Sequence, residues 1–284
     1  MKNRPPRSSN TNSASRRGVT RPIFNGRPTE DLIKFVGVEQ CHALFEARKA
    51  DMRRVVVLEE QEEPFGHVLR WCEKRDIHTK VVEFEELSRI AGTDHHEGVC
   101  IEAKPLPLMA AGALIKQMAE MQRGLLVVLE GVENPHNVGA ILRTCCFFGV
   151  KSVIIQSNHI STLSAAACRI AEGAAEKMSI AIVKEYARAF APLKAKGYSV
   201  VATTPHEAKS LYSVKWPDKT ILFFGAEGEG LSPEVLAAAN IRVAVPRLGP
   251  LESLNVGAAV SAVLTEARRE AVVKGIIAAK SSAA

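Results

Sequence analysis

Apolar and polar positions alternate in two rhythms along this chain, and each change of rhythm marks an element. From Asp31 to Ala103, short Val/Ile-rich runs at a period of two alternate with stretches whose apolar residues recur every three or four positions. The pattern predicts a strand around Ile33 to Gly37, a helix over VEQCHALFEARKA, and a strand at RRVVVLEE. A helix over HVLRWCEKR, a strand at HTKVVEF, a helix over EELSRIAG and a strand at GVCIEA follow. Together they describe a small α/β sandwich, placed at residues 29–105. The segment PLPLMAAGALIKQMAEM then supplies a proline-rich linker and a helix over 106–123.

A second, larger unit is expected over 124–284. LLVVLEG, KSVIIQ, SIAIV, YSVVATT, TILFFG and IRVAVP are predicted strands. Helices over NVGAILRTCCFFG, LSAAACRIAEGAA, YARAFAPLKAKG and PEVLAAA, and a long one from Ser253 onward, alternate with them. Strand, helix, strand repeated in this way requires a mainly parallel sheet covered on both faces. Ligands of such sheets sit at the carboxyl ends of the strands, here the loops after Glu130, Val201, Phe224 and Val245.

Composition narrows the class. Of 284 residues, 46% are hydrophobic and 24% charged, as in a soluble globular protein. No apolar run approaches the ~18 residues that span a bilayer. The start, MKNRPPRSSNTNSASRRG, is basic without an apolar stretch behind it, so no secretory leader is expected. Six cysteines without a C-x-x-C pair read as buried reduced thiols of a cytoplasmic protein. The net charge of +6 is unevenly placed: seven basic residues precede the first acidic one, Glu30, leaving 30 basic against 31 acidic beyond it. Residues 1–28, rich in Ser, Asn, Pro and Arg, are expected to be a disordered basic tail. Such an arm suits loose contact with nucleic acid, and equally a solubilising leader without a partner.

Chemistry concentrates in the loops at the strand ends. TILFFGAEGEGL is a strand emptying into three glycines, a shape that often holds phosphate, yet Glu227 and Glu229 would repel one. In EGVENPHNVGAILRTC, Asn137 is explained adequately as a helix N-cap. Arg143, on an otherwise apolar helix, is not, because it calls for an anion or a carboxylate. In PRLGPLESLNVGAAVSA a turn at Gly249 and Pro250 precedes Ser253 and Asn255, set among small residues that admit a ligand to the backbone. His95, His96 and Cys100 lack a fourth ligand and do not read as a metal site. His136 reads as a loop residue, Cys145 and Cys146 as core, and the Met and Phe residues as interior packing.

NPHNVGAILRT, LFFGAEGEGLSPEVL and VAVPRLGPLESLNVGAAVSA resemble the three ordered motifs of the SpoU/TrmH family of SPOUT RNA methyltransferases, and within it the YfiF-like tRNA/rRNA methyltransferases. The likeness covers about 155 residues from Leu125. The first unit, with FVGVEQCHALFEARKA and GTDHHEGVC, is similar to the small L30e-like RNA-binding domain that precedes many members. The resemblance implies a trefoil-knotted parallel-sheet domain, S-adenosylmethionine as cofactor, tRNA or rRNA as partner, a site completed across a homodimer, and neither metal nor membrane. By family pattern Arg143, Asn137, Glu227, Ser253 and Asn255 carry methyl transfer to a ribose 2′-hydroxyl, and Thr203, Gly225, Val245 and Leu254 touch the cofactor. A sulfonium cofactor without phosphate removes the conflict with the acidic glycine turn. Gly257, where the family commonly has Ser, and Arg247, where Met is usual, depart from the pattern. Two other readings compete: an RNA-binding or ribosome-associated protein that keeps the fold without turnover, and an NAD(P) oxidoreductase. The latter is disfavoured because EGVENPHNVG stands where G-x-G-x-x-G would follow the strand.

Overall fold

The computed structural model describes residues 23–24, 27–28, 32–156, 163–183, 186–273 and 275. The chain divides into two units, 1–31 and 32–284. In the first, β1 (Ile23–Phe24) pairs antiparallel with β2 (Arg27–Pro28). The disorder expected of residues 1–28 otherwise falls outside the described residues.

The second unit holds two sheets. The smaller has four strands, β3 (Ile33–Val36), β4 (Met52–Val57), β5 (His78–Val81) and β6 (Val99–Ala103), in the order β3-β6-β4-β5. Only the β4–β5 pair is parallel. Helices α1 (Val38–Arg48) and α2 (Gly66–Glu73) cover one face, and α3 (Phe84–Ala91) the other. Alternation within β4 explains this: Val55 and Val57 enter the core under α1 and α2, and Val56 the one under α3. Two expected strand ends move. Residues Glu59–Gln61 form a 3₁₀ turn instead of prolonging β4, and Phe84 opens α3 and is exposed.

His96 is buried here, where no metal is needed to account for it. Its Nδ1 accepts the Gly98 N–H at 3.1 Å, and its Nε2 lies 3.1 Å from Ser88 Oγ. Burial lowers its pKa below 6.5, and burial followed by the neighbouring His67 does the same for His42. The unfolded chain therefore binds protons near pH 6 that the folded chain resists. This contribution to stability is complete above about pH 6.5 and is lost as pH falls below it. Melting scans should give a Tm several degrees lower at pH 5.5 than at 7.5, and His96→Asn, which retains an acceptor, should flatten that slope. A Tm independent of pH over this range would mean that neither ring excludes the proton.

The larger sheet contains β7 (Gly124–Glu130), β8 (Ser152–Gln156), β9 (Ser179–Val183), β10 (Ser199–Thr203), β11 (Lys209–Ser210), β12 (Lys219–Phe224) and β13 (Ile241–Ala244). Their order is β11-β13-β10-β12-β7-β8-β9, and every pairing is parallel. On one face lie α5 (Pro135–Phe147) and α9 (Val256–Val273). On the other lie α4 (Ala111–Ala119), α7 (Tyr186–Ala195) and α8 (Pro233–Ala238). The central strand β7 shows why its sequence reads as one apolar run: Val127 and Leu129 enter the first core, Leu126 and Val128 the second.

The helix expected over 163–175 is broken. After α6 (Ala165–Ile170), Glu172 (φ 46°) and Gly173 (φ 78°) turn left-handed, and a 3₁₀ turn follows at Ala174–Lys177. This turn is where the small sheet docks. A side chain at Gly173 would strike the Cβ of Ala43 on α1, and Gly173 N–H donates to Gln40 Oε1 at 3.1 Å. The Arg48 guanidinium grips the Glu176 carboxylate twice, Nε to Oε2 at 2.8 Å and Nη2 to Oε1 at 2.9 Å. Its Nη1 donates to the Lys104 carbonyl at 2.6 Å. Cys168 of α6 completes the core under α1.

Candidate active site

Three loops at the carboxyl ends of the large sheet meet around one carboxylate. Asn134, followed by Pro135, caps α5: its side chain accepts the His136 N–H at 2.9 Å. The N-cap is therefore not Asn137 as the sequence suggested, and His136 lies in the first helical turn rather than a loop. Asn137 is free to reach sideways. Its Nδ2 donates to Glu227 Oε1 at 3.1 Å, and its Oδ1 accepts from Asn255 Nδ2 at 3.1 Å. Asn255 Nδ2 also donates to Glu227 Oε1 at 2.6 Å, and the Val256 backbone N–H reaches the same oxygen at 3.1 Å. Asn255 Oδ1 accepts the Gly257 N–H at 2.9 Å, as a cap of α9 does.

Glu227 thus joins the glycine turn to the starts of α5 and α9. Its negative charge lies where the open N–H groups of α9 favour it. The turn is shaped for this purpose: Gly230 N–H returns to the Ala226 carbonyl at 3.0 Å, and Gly228 and Gly230 take φ of 89° and 71°. A Cβ at Gly225 would overlap the backbone of Gly230, so that glycine is required by the turn itself. Glu227→Ala removes the acceptor shared by two amides and a backbone N–H. Because the cluster is solvent-exposed, a cost of about 1 kcal/mol, or a few degrees of Tm, is expected. Activity at this site should fall about 10²-fold. Calorimetry beside an activity assay checks this, and unchanged turnover in the variant would remove Glu227 from the site.

Thr203, Val245, Ser253 and Leu254 line a cavity of about 460 Å³ formed by the end of β10 and the β13–α9 loop. Gly225 lies outside this lining, and Arg247 within it. The walls are largely apolar, and Leu248, Leu251 and Leu254 are exposed on its lip, Leu248 almost wholly so at 99%. Thr203 Oγ1 donates to the Phe223 carbonyl at 2.9 Å, tying the cavity floor to the strand that feeds the glycine turn.

Arg143 is not bonded to that cluster. It pairs with Glu172 at 2.5 Å, with the side chains 57% and 45% exposed. The anion demanded by an arginine on this helix is thus Glu172, on the left-handed turn beside the docked small sheet. Sequence reasoning missed Glu172, and also Glu130, buried at the end of β7, whose Oε2 accepts the Ser232 N–H at 2.9 Å where α8 begins. A carboxylate closing an apolar strand was the available signal for Glu130. Cys145 is core, its thiol pushed up to about 12 by burial, and Cys146 is half-buried against it. Phe147 is exposed, against the expectation that the phenylalanines pack inside. Among the described residues no group of three His, Cys, Asp or Glu side chains is placed to hold a metal, and no helix is long and apolar enough to cross a membrane.

Residues 124–265 match the SpoU rRNA Methylase family, and residues 36–109 match the RNA 2′-O ribose methyltransferase substrate-binding family. The chain belongs to the SpoU family. Among its SpoU relatives, the uncharacterized tRNA/rRNA methyltransferase YfiF of Escherichia coli O157:H7 is 31% identical over 81% of this chain and 66% of that protein. The 23S rRNA (guanosine-2′-O-)-methyltransferase RlmB of Acinetobacter baylyi is 30% identical over 82% of this chain and 90% of its own length. The fold is that of the AdoMet-bound rRNA methyltransferase of Sinorhizobium meliloti, with a TM-score of 0.67 at 22% identity, covering 84% of this chain and 87% of that one. The three loops that converge on Glu227 all lie within the residues matched to the SpoU family.

Proposed function

We propose that this chain transfers a methyl group from S-adenosylmethionine to a ribose 2′-hydroxyl of tRNA or rRNA. The observation that carries the reading is the Asn137–Glu227–Asn255 network, which locks the three SpoU loops together. The cavity fits the cofactor: about 460 Å³ suits a molecule of that size, its apolar walls suit adenine, and its lining carboxylate Glu252 suits a cation. Thr203, Val245 and Leu254 would hold it, and Gly225 would act by keeping the turn closed. When bound, the cofactor supplies an electrophilic methyl group on a sulfonium sulfur.

The residues of the chain do the positioning. The Arg143 guanidinium, with donors only and no acceptor, suits clamping and orienting the substrate better than taking up its proton. Its fork suits a bidentate grip on the phosphate next to the target ribose, which would displace Glu172 and set the hydroxyl in line. Ser253 and Asn255 stand at the two sides of the turn into α9 and would hold the nucleotide between cavity and network. The hydroxyl proton would leave to water as the methyl group passes from sulfur to oxygen, the S–C bond breaking as the O–C bond forms.

The small sheet, expected over 29–105, would bind RNA, and the linker over 106–123 would join it to the methyltransferase domain at 124–284. A trefoil knot is supported by the 245–255 segment passing beside the 225–232 turn, to which Asn255 and Val256 bond. A homodimer is supported by the exposed Phe147, Val272 and Val273 at the ends of α5 and α9, two helices that pack on each other. The setting is the cytoplasm.

The test is incorporation of label from radiolabelled S-adenosylmethionine into total RNA lacking its own modification, with the site located by resistance to alkaline cleavage. Labelled RNA establishes the reaction and identifies the substrate. If cofactor binds and no RNA is labelled, the reading as an RNA-binding protein that kept the fold gains, or a partner is needed for turnover.

A further inference from the structure

Among the described residues, two buried side-chain nitrogens lack a hydrogen-bond partner, Trp216 Nε1 and Arg268 Nε. Both residues line one cavity of about 360 Å³ at the amino ends of β7, β8 and β12, the edge of the sheet opposite the Glu227 network. Both atoms are donors, and neither side chain has any acceptor to offer. The missing partner must therefore be an acceptor. Arg268 makes no ion pair among the described residues, while burial presses on its charge. The carboxylates nearby are engaged: Asp218 pairs with Arg123 at 3.6 Å, and Glu270 accepts the Trp216 backbone N–H at 2.9 Å. Lys151 adds a further cation to the lining. Trp216 and Met118 supply an apolar wall, and the volume far exceeds the ~30 Å³ share of one water.

We infer that this cavity is a second binding site, for a small organic oxyanion, a phosphate or carboxylate head on an apolar body. The head lies against the Arg268 guanidinium and Lys151, and the body lies on the apolar wall of Trp216 and Met118. The site is independent of methyl transfer, since its residues lie at the other edge of the sheet.

The chain has two tryptophans, so Trp71→Phe in the full-length protein leaves Trp216 as the sole indole reporter. Its emission is titrated at constant ionic strength with phenyl phosphate, benzoate and inorganic phosphate, with S-adenosylmethionine binding measured alongside. Phenyl phosphate is expected to give a saturable change and to bind at least tenfold more tightly than inorganic phosphate. Benzoate ranking above or below phenyl phosphate tells carboxylate from phosphate as the preferred head. Arg268→Met should weaken binding at least tenfold, and Arg268→Lys, which keeps charge and loses the fork, by less. Retained S-adenosylmethionine binding shows that each variant is folded; if Arg268→Met loses it, Arg268→Lys alone decides. A change that never saturates, or the same affinity in a folded Arg268 variant, overturns the site.

Discussion

Arg143→Ala should cut kcat/KM for RNA methylation by about 10²-fold or more while leaving S-adenosylmethionine affinity within about twofold and Tm within about a degree. The separation follows from where Arg143 stands. It does not line the cavity that fits the cofactor, so cofactor binding has no reason to change. Its partnership with Glu172 is an exposed ion pair, a kind worth at most about 1 kcal/mol, so little stability is lost with it. On the role proposed for it, what is lost is a forked donor for the phosphate beside the target ribose. Arg143→Lys should fall between, because an ammonium keeps the charge without the planar fork. Single-turnover kinetics with the RNA found in the labelling experiment are the check, and near-normal transfer by the alanine variant would remove Arg143 from the chemistry.

The second large effect belongs to stability. Arg48→Met leaves the Glu176 carboxylate, 1% exposed, inside the interface between the small sheet and the left-handed turn. Removing one partner of a buried pair costs about 3–5 kcal/mol, which for a chain of this size lowers Tm by roughly 10 °C. The double variant Arg48→Met with Glu176→Met should recover much of that, since the expense lies in the uncompensated charge. Calorimetry on the parent and the two variants measures it. If Arg48→Met melts within two degrees of the parent, water already reaches the pair.

The alternation of elements was legible because each sheet strand carries its signal locally: period two in β4, a continuous apolar run in β7. The three loops of the site were legible as motifs. Their connections were less so. Asn137 and Asn134 are both good capping residues three positions apart, and only the fold shows that Pro135 fixes the cap at Asn134. The break after α6 was hidden because AEGAAE reads as helix, and the left-handed turn at Glu172 is imposed by α1 pressing on Gly173. Likewise Glu176 and Glu172, the carboxylates hydrogen-bonded to Arg48 and Arg143, lie 128 and 29 residues away, beyond any local pattern. Gly225 was legible as important but for another reason, because its closest neighbours are the backbone of its own turn.

The Glu227 network also constrains the order of assembly. The Asn255–Asn137 bond spans 118 residues and the Glu227–Asn137 bond 90, so closing them costs loop entropy that neighbouring contacts do not recover early. Strands and the other helices can be in place while α9 is still undocked, and a molecule in that state lacks both the network and the cavity wall that Ala259 and Val263 of α9 supply. In refolding, helical signal should therefore return before the site is whole.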